Sequence, residues 1–113
     1  GDTLAGGNGI DTASYAGSVS GITVNLNTLA TSGGDAAGDI LSSIENIIGS
    51  ALSDIITGNN NGNSLTGGDG DDVIIGSGGD DTLVGGEGAD SLIGGVGVDT
   101  VSYTSSAAGV TIN

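Results

Sequence analysis

Over much of this chain the apolar positions recur every nine residues. Residues 49–102 divide without a gap into six units: GSALSDIIT, GNNNGNSLT, GGDGDDVII, GSGGDDTLV, GGEGADSLI and GGVGVDTVS. A seventh unit, GGNGIDTAS, occupies residues 6–14, and Gly1-Asp2-Thr3-Leu4-Ala5 is the tail of an eighth. The eighth place of each unit is apolar: Leu4, Ala13, Ile56, Leu65, Ile74, Leu83, Leu92 and Val101. The sixth place is Asp, with Asn63 the single exception. One inward aliphatic per nine residues buries too little to make a core alone, so the units must stack.

The positions of the unit predict its shape. Glycines at the first, second and fourth places let the backbone turn tightly, and the last three places alternate outward, inward, outward as a short strand does. Strand–turn–strand–turn closes a coil about every 18 residues, each strand pairing with the one two units away. The fold expected is all-β, a parallel β-solenoid. No stretch carries a helical apolar period long enough for a crossover helix.

Residues 15–48 interrupt the register. Ile22-Thr23-Val24-Asn25-Leu26 alternates like a half-buried strand, and the run from Leu41 to Ile48 reads as strand feeding the roll at Gly49. Gly33-Gly34-Asp35-Ala36-Ala37-Gly38-Asp39 resembles a stretched turn, with Asp35 and Asp39 as candidate ligands for a further ion. A longer repeat lies over the short one. DTLAGGNGIDTASYAGSVSGITVN from Asp2 matches DSLIGGVGVDTVSYTSSAAGVTIN from Asp90, at an offset of 88 residues. Four segments follow: 1–14 as the end of one roll, 15–48 as an insert of irregular coils, 49–102 as a roll of six nonapeptides, and 103–113 as the start of the next superunit. The chain reads as an excerpt from a longer array. Tyr15 and Tyr103, equivalent in the long repeat, are expected to cap the apolar interior at the junction.

Composition narrows what such a fold can do. The 113 residues include 25 Gly and 14 Asp plus Glu, with no Lys, Arg, His or Cys, for a net charge of −14. There is no ordinary general base near neutrality, no thiolate and no Schiff-base lysine, so an enzyme is not expected. Nothing can neutralise nucleic-acid phosphates, and no run of about 18 apolar residues exists to insert in a membrane. High charge with two aromatics suggests disorder. The mean hydropathy of +0.21 and 35% hydrophobic residues argue against it.

Stacking then creates a charge problem. Sixth-place carboxylates of alternate units lie about 5 Å apart, one strand spacing. Two unpaired charges at that distance repel by roughly 3 kcal/mol at an effective dielectric near 20. With no cationic side chain available, a hard divalent cation between turns resolves the repulsion, taking carboxylate oxygens and turn carbonyls. Six to eight oxygens in a flexible cage is calcium chemistry, whereas zinc would want His or Cys.

The units match GGxGxDxUx, U being a large aliphatic, most clearly at Gly67–Asp72, Gly85–Asp90 and Gly94–Asp99. In this the sequence resembles the RTX, or haemolysin-type calcium-binding, nonapeptide-repeat proteins, over about 68 of 113 residues. The resemblance implies a right-handed parallel β-roll with calcium ions between stacked turns, each held by two Asp side chains and several carbonyls. Applied here, Asp54, Asp72 and Asp90 form one edge and Asn63, Asp81 and Asp99 the other. That makes about four inter-turn sites: Asp54/Asp72, Asp72/Asp90, Asn63/Asp81 and Asp81/Asp99. The first unit lacks its second and fourth glycines and the second carries an amide, so their sites are expected to be weaker or empty. Asp2 and Asp11, counterparts of Asp90 and Asp99, are expected to share calcium with a preceding copy. Asp69, Asp71, Asp80 and Glu87 fall off register and are read as solvated charges. The expected function is a calcium-dependent structural module of a secreted bacterial surface, matrix, filament or adhesin protein, which folds on calcium outside the cell. Its expected partners are calcium and neighbouring copies, with self-assembly into fibres or a surface layer. The alternative is an accessory secretion and folding segment of a secreted enzyme or toxin whose active domain lies elsewhere.

Overall fold

A computed structural model describes residues 1–103 and 109–113. The stretch 104–108, within the segment expected to open the next superunit, lies outside the described residues. The strands are β1 (Thr3–Ala5), β2 (Thr12–Ser14), β3 (Thr23–Asn25), β4 (Ala30–Ser32), β5 (Ile40–Ser42), β6 (Asn46–Ile48), β7 (Ile55–Thr57), β8 (Ser64–Asp69), β9 (Val73–Gly78), β10 (Thr82–Glu87), β11 (Ser91–Val96), β12 (Thr100–Ser102) and β13 (Thr111–Ile112). A single turn of 3-10 helix, Gly34–Ala36, separates β4 from β5.

From β6 onward successive strands alternate between two sheets, as the nine-residue period requires. One sheet runs β2-β6-β8-β10-β12 and the other β4-β3-β7-β9-β11-β13, with β1 and β5 as a separate pair. From β6 to β12 the ladder is parallel and in register at 18 residues: Ile47 beside Leu65 beside Leu83, and Ile56 beside Ile74 beside Leu92. This is the stacked β-solenoid that the spacing predicted, about three coils deep. The eighth-place residues form its interior, and Ile47, Ile56, Leu65, Ile74, Leu83 and Leu92 have no solvent exposure. Each such burial contributes about 1.5–3 kcal/mol. The interior thins at the far end, where Val101 is only partly buried and Ile112 is exposed.

Two features depart from the three-residue strands and uniform parallel pairing expected. Strands β8 to β11 are six residues long, because the first three places of the following unit continue the ladder and Gly86 pairs with Gly68. Strand β4 returns antiparallel on β3, with Thr23 opposite Ser32. The turn before it is fixed by Asn25, whose Oδ1 accepts the N–H groups of Asn27 (2.9 Å) and Thr28 (3.0 Å). That hairpin covers the β3 edge, which would otherwise offer a row of unpaired main-chain groups.

The insert delivers strands into the same stack over longer excursions. Asn46 of β6 lies beside Thr12, and Ile55 of β7 beside Thr23. Ile22, Val24 and Leu26 are buried while Thr23 and Asn25 are half-buried, as the alternation of that segment requires. The run 41–48, expected as strand, is two strands, β5 and β6, broken at Ser43, whose φ is 52°. Tyr15 is buried in the core, but its repeat equivalent Tyr103 is 55% exposed, so the expectation that both cap the interior holds for Tyr15 alone. The difference lies in surroundings: the insert packs over Tyr15 and supplies a buried partner, Asp39, for its hydroxyl.

Candidate metal centre

The turns between strands stack as closely as the strands do. Gly86 and Gly88 have φ of 108° and 131°, a region an L side chain rarely adopts. A Cβ on Gly86 would collide with the carbonyl oxygen of Gly68 one coil below, and one on Gly88 with that of Gly70. These glycines therefore serve two ends: they make the turn, and they leave room for carbonyl oxygens of the preceding turn.

Into this stack the sixth-place residues bring their carboxylates. Asp72, Asp81 and Asp90 are almost fully buried. Asp72 Oδ1 accepts the N–H of Asp54 at 2.8 Å, and Asp90 Oδ1 that of Asp72 at 3.0 Å. On the other edge Asp81 Oδ1 accepts from Asn63 at 2.8 Å, and Asp99 Oδ1 from Asp81 at 3.0 Å. The structure thus places these residues in the two columns that the register predicted. The second oxygens behave differently. Oδ2 of Asp72, Asp81 and Asp90 is buried with no hydrogen-bond partner, held over the first-place glycine of its own unit. A Cβ on Gly67, Gly76 or Gly85 would occupy that oxygen's place.

Three buried carboxylate oxygens without donors are costly. Burial first, then the neighbouring charges of Asp54, Asp90 and Asp71, pushes Asp72 up to about 7, against the opposing hydrogen bond from the Asp54 N–H. Asp81 is likewise raised, by burial and by Asp99 and Asp80. No three carboxylates converge on one point among the described residues. A cation here would therefore draw on carboxylate oxygens of neighbouring turns together with main-chain carbonyls. Hard anionic and carbonyl oxygens, with no nitrogen or sulfur ligand in the chain, fit calcium.

Asp54 and Asn63 occupy their columns but are satisfied otherwise. Asp54 Oδ1 accepts from the Ile22 N–H (2.8 Å) and the Ser50 hydroxyl (2.8 Å), and its Oδ2 accepts from the Ser50 N–H (2.6 Å). Asn63 Oδ1 accepts the Asn59 N–H at 2.9 Å, while its Nδ2 donates to the Glu45 carbonyl at 2.7 Å. At the start of the chain the Asp2 N–H donates to Asp39 Oδ1 (2.7 Å) and the Asp11 N–H to Glu45 Oε2 (2.9 Å). Asp11 Oδ2 is also buried without a partner. The other Asp39 oxygen accepts the Tyr15 hydroxyl at 3.0 Å, and that hydroxyl is held strongly against ionisation by burial and by Asp39. Asp35 is exposed on the 3-10 helix, so its carboxylate and that of Asp39 have different surroundings.

Sequence reasoning passed over two sets of residues. Glu45 lies 18 residues before Asn63, in the same column, and that spacing was the available signal. Asp71 and Asp80 are exposed as expected, yet each also ties two turns together, accepting the N–H of Ala89 (2.8 Å) and Val98 (2.9 Å) one coil on.

A parallel solenoid with glycine turns and paired columns of buried, donor-poor carboxylates defines a repeat module built around hard cations. The comparison with protein families agrees: residues 48–83 and 75–104 match the RTX calcium-binding nonapeptide repeat (4 copies), and these stretches together cover half of the chain. The chain belongs to this family, whose repeats bind calcium and form β-rolls. No curated protein matches the chain.

Proposed function

We propose that this chain is a calcium-rigidified structural module of a secreted bacterial surface, matrix, filament or adhesin protein. The observation that carries the reading is the set of unpartnered oxygens on Asp72, Asp81 and Asp90 in a chain with no cationic side chain. Calcium held by Asp72 and Asp90 on one edge, and by Asp81 and Asp99 on the other, would neutralise them with help from the carbonyls between. Asp11 continues the second column through Glu45 and keeps one unpartnered oxygen, which extends a set of about four ions. Asp54 and Asn63 stand in the columns but are closed by protein donors, and Asp2 lies against Asp39 outside them.

The route proposed is coupled binding and folding. Where calcium is scarce, the 14 acids repel one another, and the coils that carry unpartnered carboxylates stay expanded. At about millimolar calcium outside the cell, sites of about 0.1–1 mM affinity fill. A site at tenfold excess contributes about 1.4 kcal/mol, so four contribute roughly 6, comparable to the stability of a whole domain. The 88-residue self-match favours a repeated structural element, with neighbouring copies as partners. No helix among the described residues is long and apolar enough to cross a membrane.

Circular dichroism with calcium and after chelation tests the mechanism. The β-type signal should collapse by more than half on chelation, and a spectrum that chelator leaves unchanged would sink it. Imaging the native assembly tests the role: mass repeating along an axis supports the structural module. A parent chain carrying an HExxH helix or a GxSxG elbow favours the accessory segment of an enzyme or toxin.

A further inference from the structure

We infer that the chain is divided into a base that folds without calcium, formed by residues 15–66, and calcium-dependent coils from residue 67 to residue 102 that build on it. This rests on the calcium-binding reading above and adds to it which turns need the ion.

The division follows from how each buried carboxylate is satisfied. In the coils beyond residue 67, Asp72, Asp81 and Asp90 each keep one buried oxygen with no donor. In the base the same positions are closed by protein groups. Ser50, at the second place where the repeat pattern has glycine, brings both its N–H and its hydroxyl onto Asp54, and the Ile22 N–H supplies a third donor. At Asn63 an amide replaces the carboxylate. Its nitrogen reaches the Glu45 carbonyl and its oxygen takes the Asn59 N–H, so the turn is tied to the coil below without adding charge. Asp39 takes the Tyr15 hydroxyl on one oxygen within the base, and the Asp2 N–H of the preceding segment on the other. Ser50, Asn59 and Tyr15 thus supply the donors that a cation would otherwise replace.

The base also has its own interior. Tyr15, Ile22, Leu41, Ile47, Ile56 and Leu65 are buried within it, and no unpartnered carboxylate oxygen opposes their packing between residues 15 and 66 among the described residues. Asp11 Oδ2, the remaining unpartnered oxygen, lies before that stretch on a residue still partly open to water. Strand β7 and the start of β8, within the base, then present edges in register for β9 and β10 of the next coil. Growth from such an edge avoids the cost of nucleating a parallel coil from an expanded chain.

Hydrogen exchange read by mass spectrometry on the full chain, in chelator and in excess calcium, tests the division. In chelator, amides of β3, β6 and β7 should stay protected while those of β9, β10 and β11 exchange at least tenfold faster; calcium should protect both sets. Equal exchange of the two sets in chelator, whether both fast or both slow, overturns the inference. The double variant Ser50→Gly with Asn63→Asp removes the substitute donors. It should lose protection of β6 and β7 in chelator and recover it with calcium, taking up additional ions; protection kept in chelator would overturn the inference. The unsubstituted chain decides the question even where that variant does not fold. Calorimetric titration separates the two levels: no calcium uptake removes the functional reading, whereas uptake with uniform exchange in chelator removes only the division.

Discussion

The main-chain N–H of Asp54 donates to Asp72 Oδ1 at 2.8 Å, while Oδ2 of the same carboxylate is buried with no donor at all. One oxygen ties coil to coil and the other is the proposed calcium ligand, so substitution can separate the two tasks. Asp72→Asn keeps an acceptor for the Asp54 N–H and removes the charge; Asp72→Ala removes both. Each should lower calcium uptake, and the alanine should cost about 0.5–1.5 kcal/mol more in calcium-loaded stability for the lost bond. Asp81→Ala should lower uptake as Asp72→Ala does, while Asp69→Ala, at an exposed third place, should leave it unchanged. Calorimetric stoichiometry checks this, and equal calcium loss in all three alanine variants would refute the register.

Acidity should trade against calcium. Asp72 in the metal-free fold is pushed up to about 7 from an ordinary 3.8, first by burial. Between those values the folded carboxylate keeps a proton that the unfolded chain has released. Lowering the pH from about 7 toward about 4 therefore favours the metal-free fold, and above about 7 the burden of the buried charge is complete. Calcium needs the unprotonated oxygen, so its affinity should fall across the same window, by up to about tenfold per pH unit for each proton displaced. Calcium titrations followed by circular dichroism from about pH 8 to about pH 5 measure this. A midpoint that stays constant over that range would contradict the raised Asp72.

What the sequence made legible follows from spacing alone. Side-chain alternation and an 18-residue coil determine that Leu65 and Leu83 face inward beside one another and that Asp72 and Asp90 share an edge. Neither conclusion needs the path of the intervening backbone. The reversal of β4, the Ile22 N–H that reaches Asp54, and the burial of Asp39 against Tyr15 depend on main-chain direction in residues 15–48, where no period constrains it. The same limit explains the two tyrosines. Similar sequence surroundings predict similar roles, but Asp39 meets Tyr15 across 24 residues and through tertiary packing alone.

The second and fourth glycines can be tested apart from the acids. Gly86→Ala combines a φ of 108° with a collision against the Gly68 carbonyl, both main-chain features that cannot move aside cheaply. It should cost about 2 kcal/mol or more, from left-handed strain plus displacement of one coil. Gly17→Ala, where a Cβ meets nothing within 4 Å, serves as the matched control and should fall within about 0.5 kcal/mol of the unsubstituted chain. Denaturant unfolding in excess calcium compares them; equal stability of the two variants would show that the stacked turns do not require glycine at the second place.

Tyr15 offers a test of the insert that leaves the proposed calcium columns untouched. Its hydroxyl donates to Asp39 Oδ2 at 3.0 Å, the second of that carboxylate's two bonds, in a site nearly closed to water. Tyr15→Phe keeps the ring packed in the core but leaves a buried carboxylate oxygen short of its donor, at a cost of about 1–3 kcal/mol. Tyr103→Phe, at the equivalent place of the long repeat but with its ring 55% exposed, should change stability by less than about 0.5 kcal/mol. Thermal or denaturant unfolding of both variants in excess calcium measures the difference. Calcium stoichiometry should be the same in both, because neither tyrosine touches the columns of Asp72 and Asp81. Equal destabilisation would mean that the two tyrosines do the same work, against the Asp39 contact that distinguishes them.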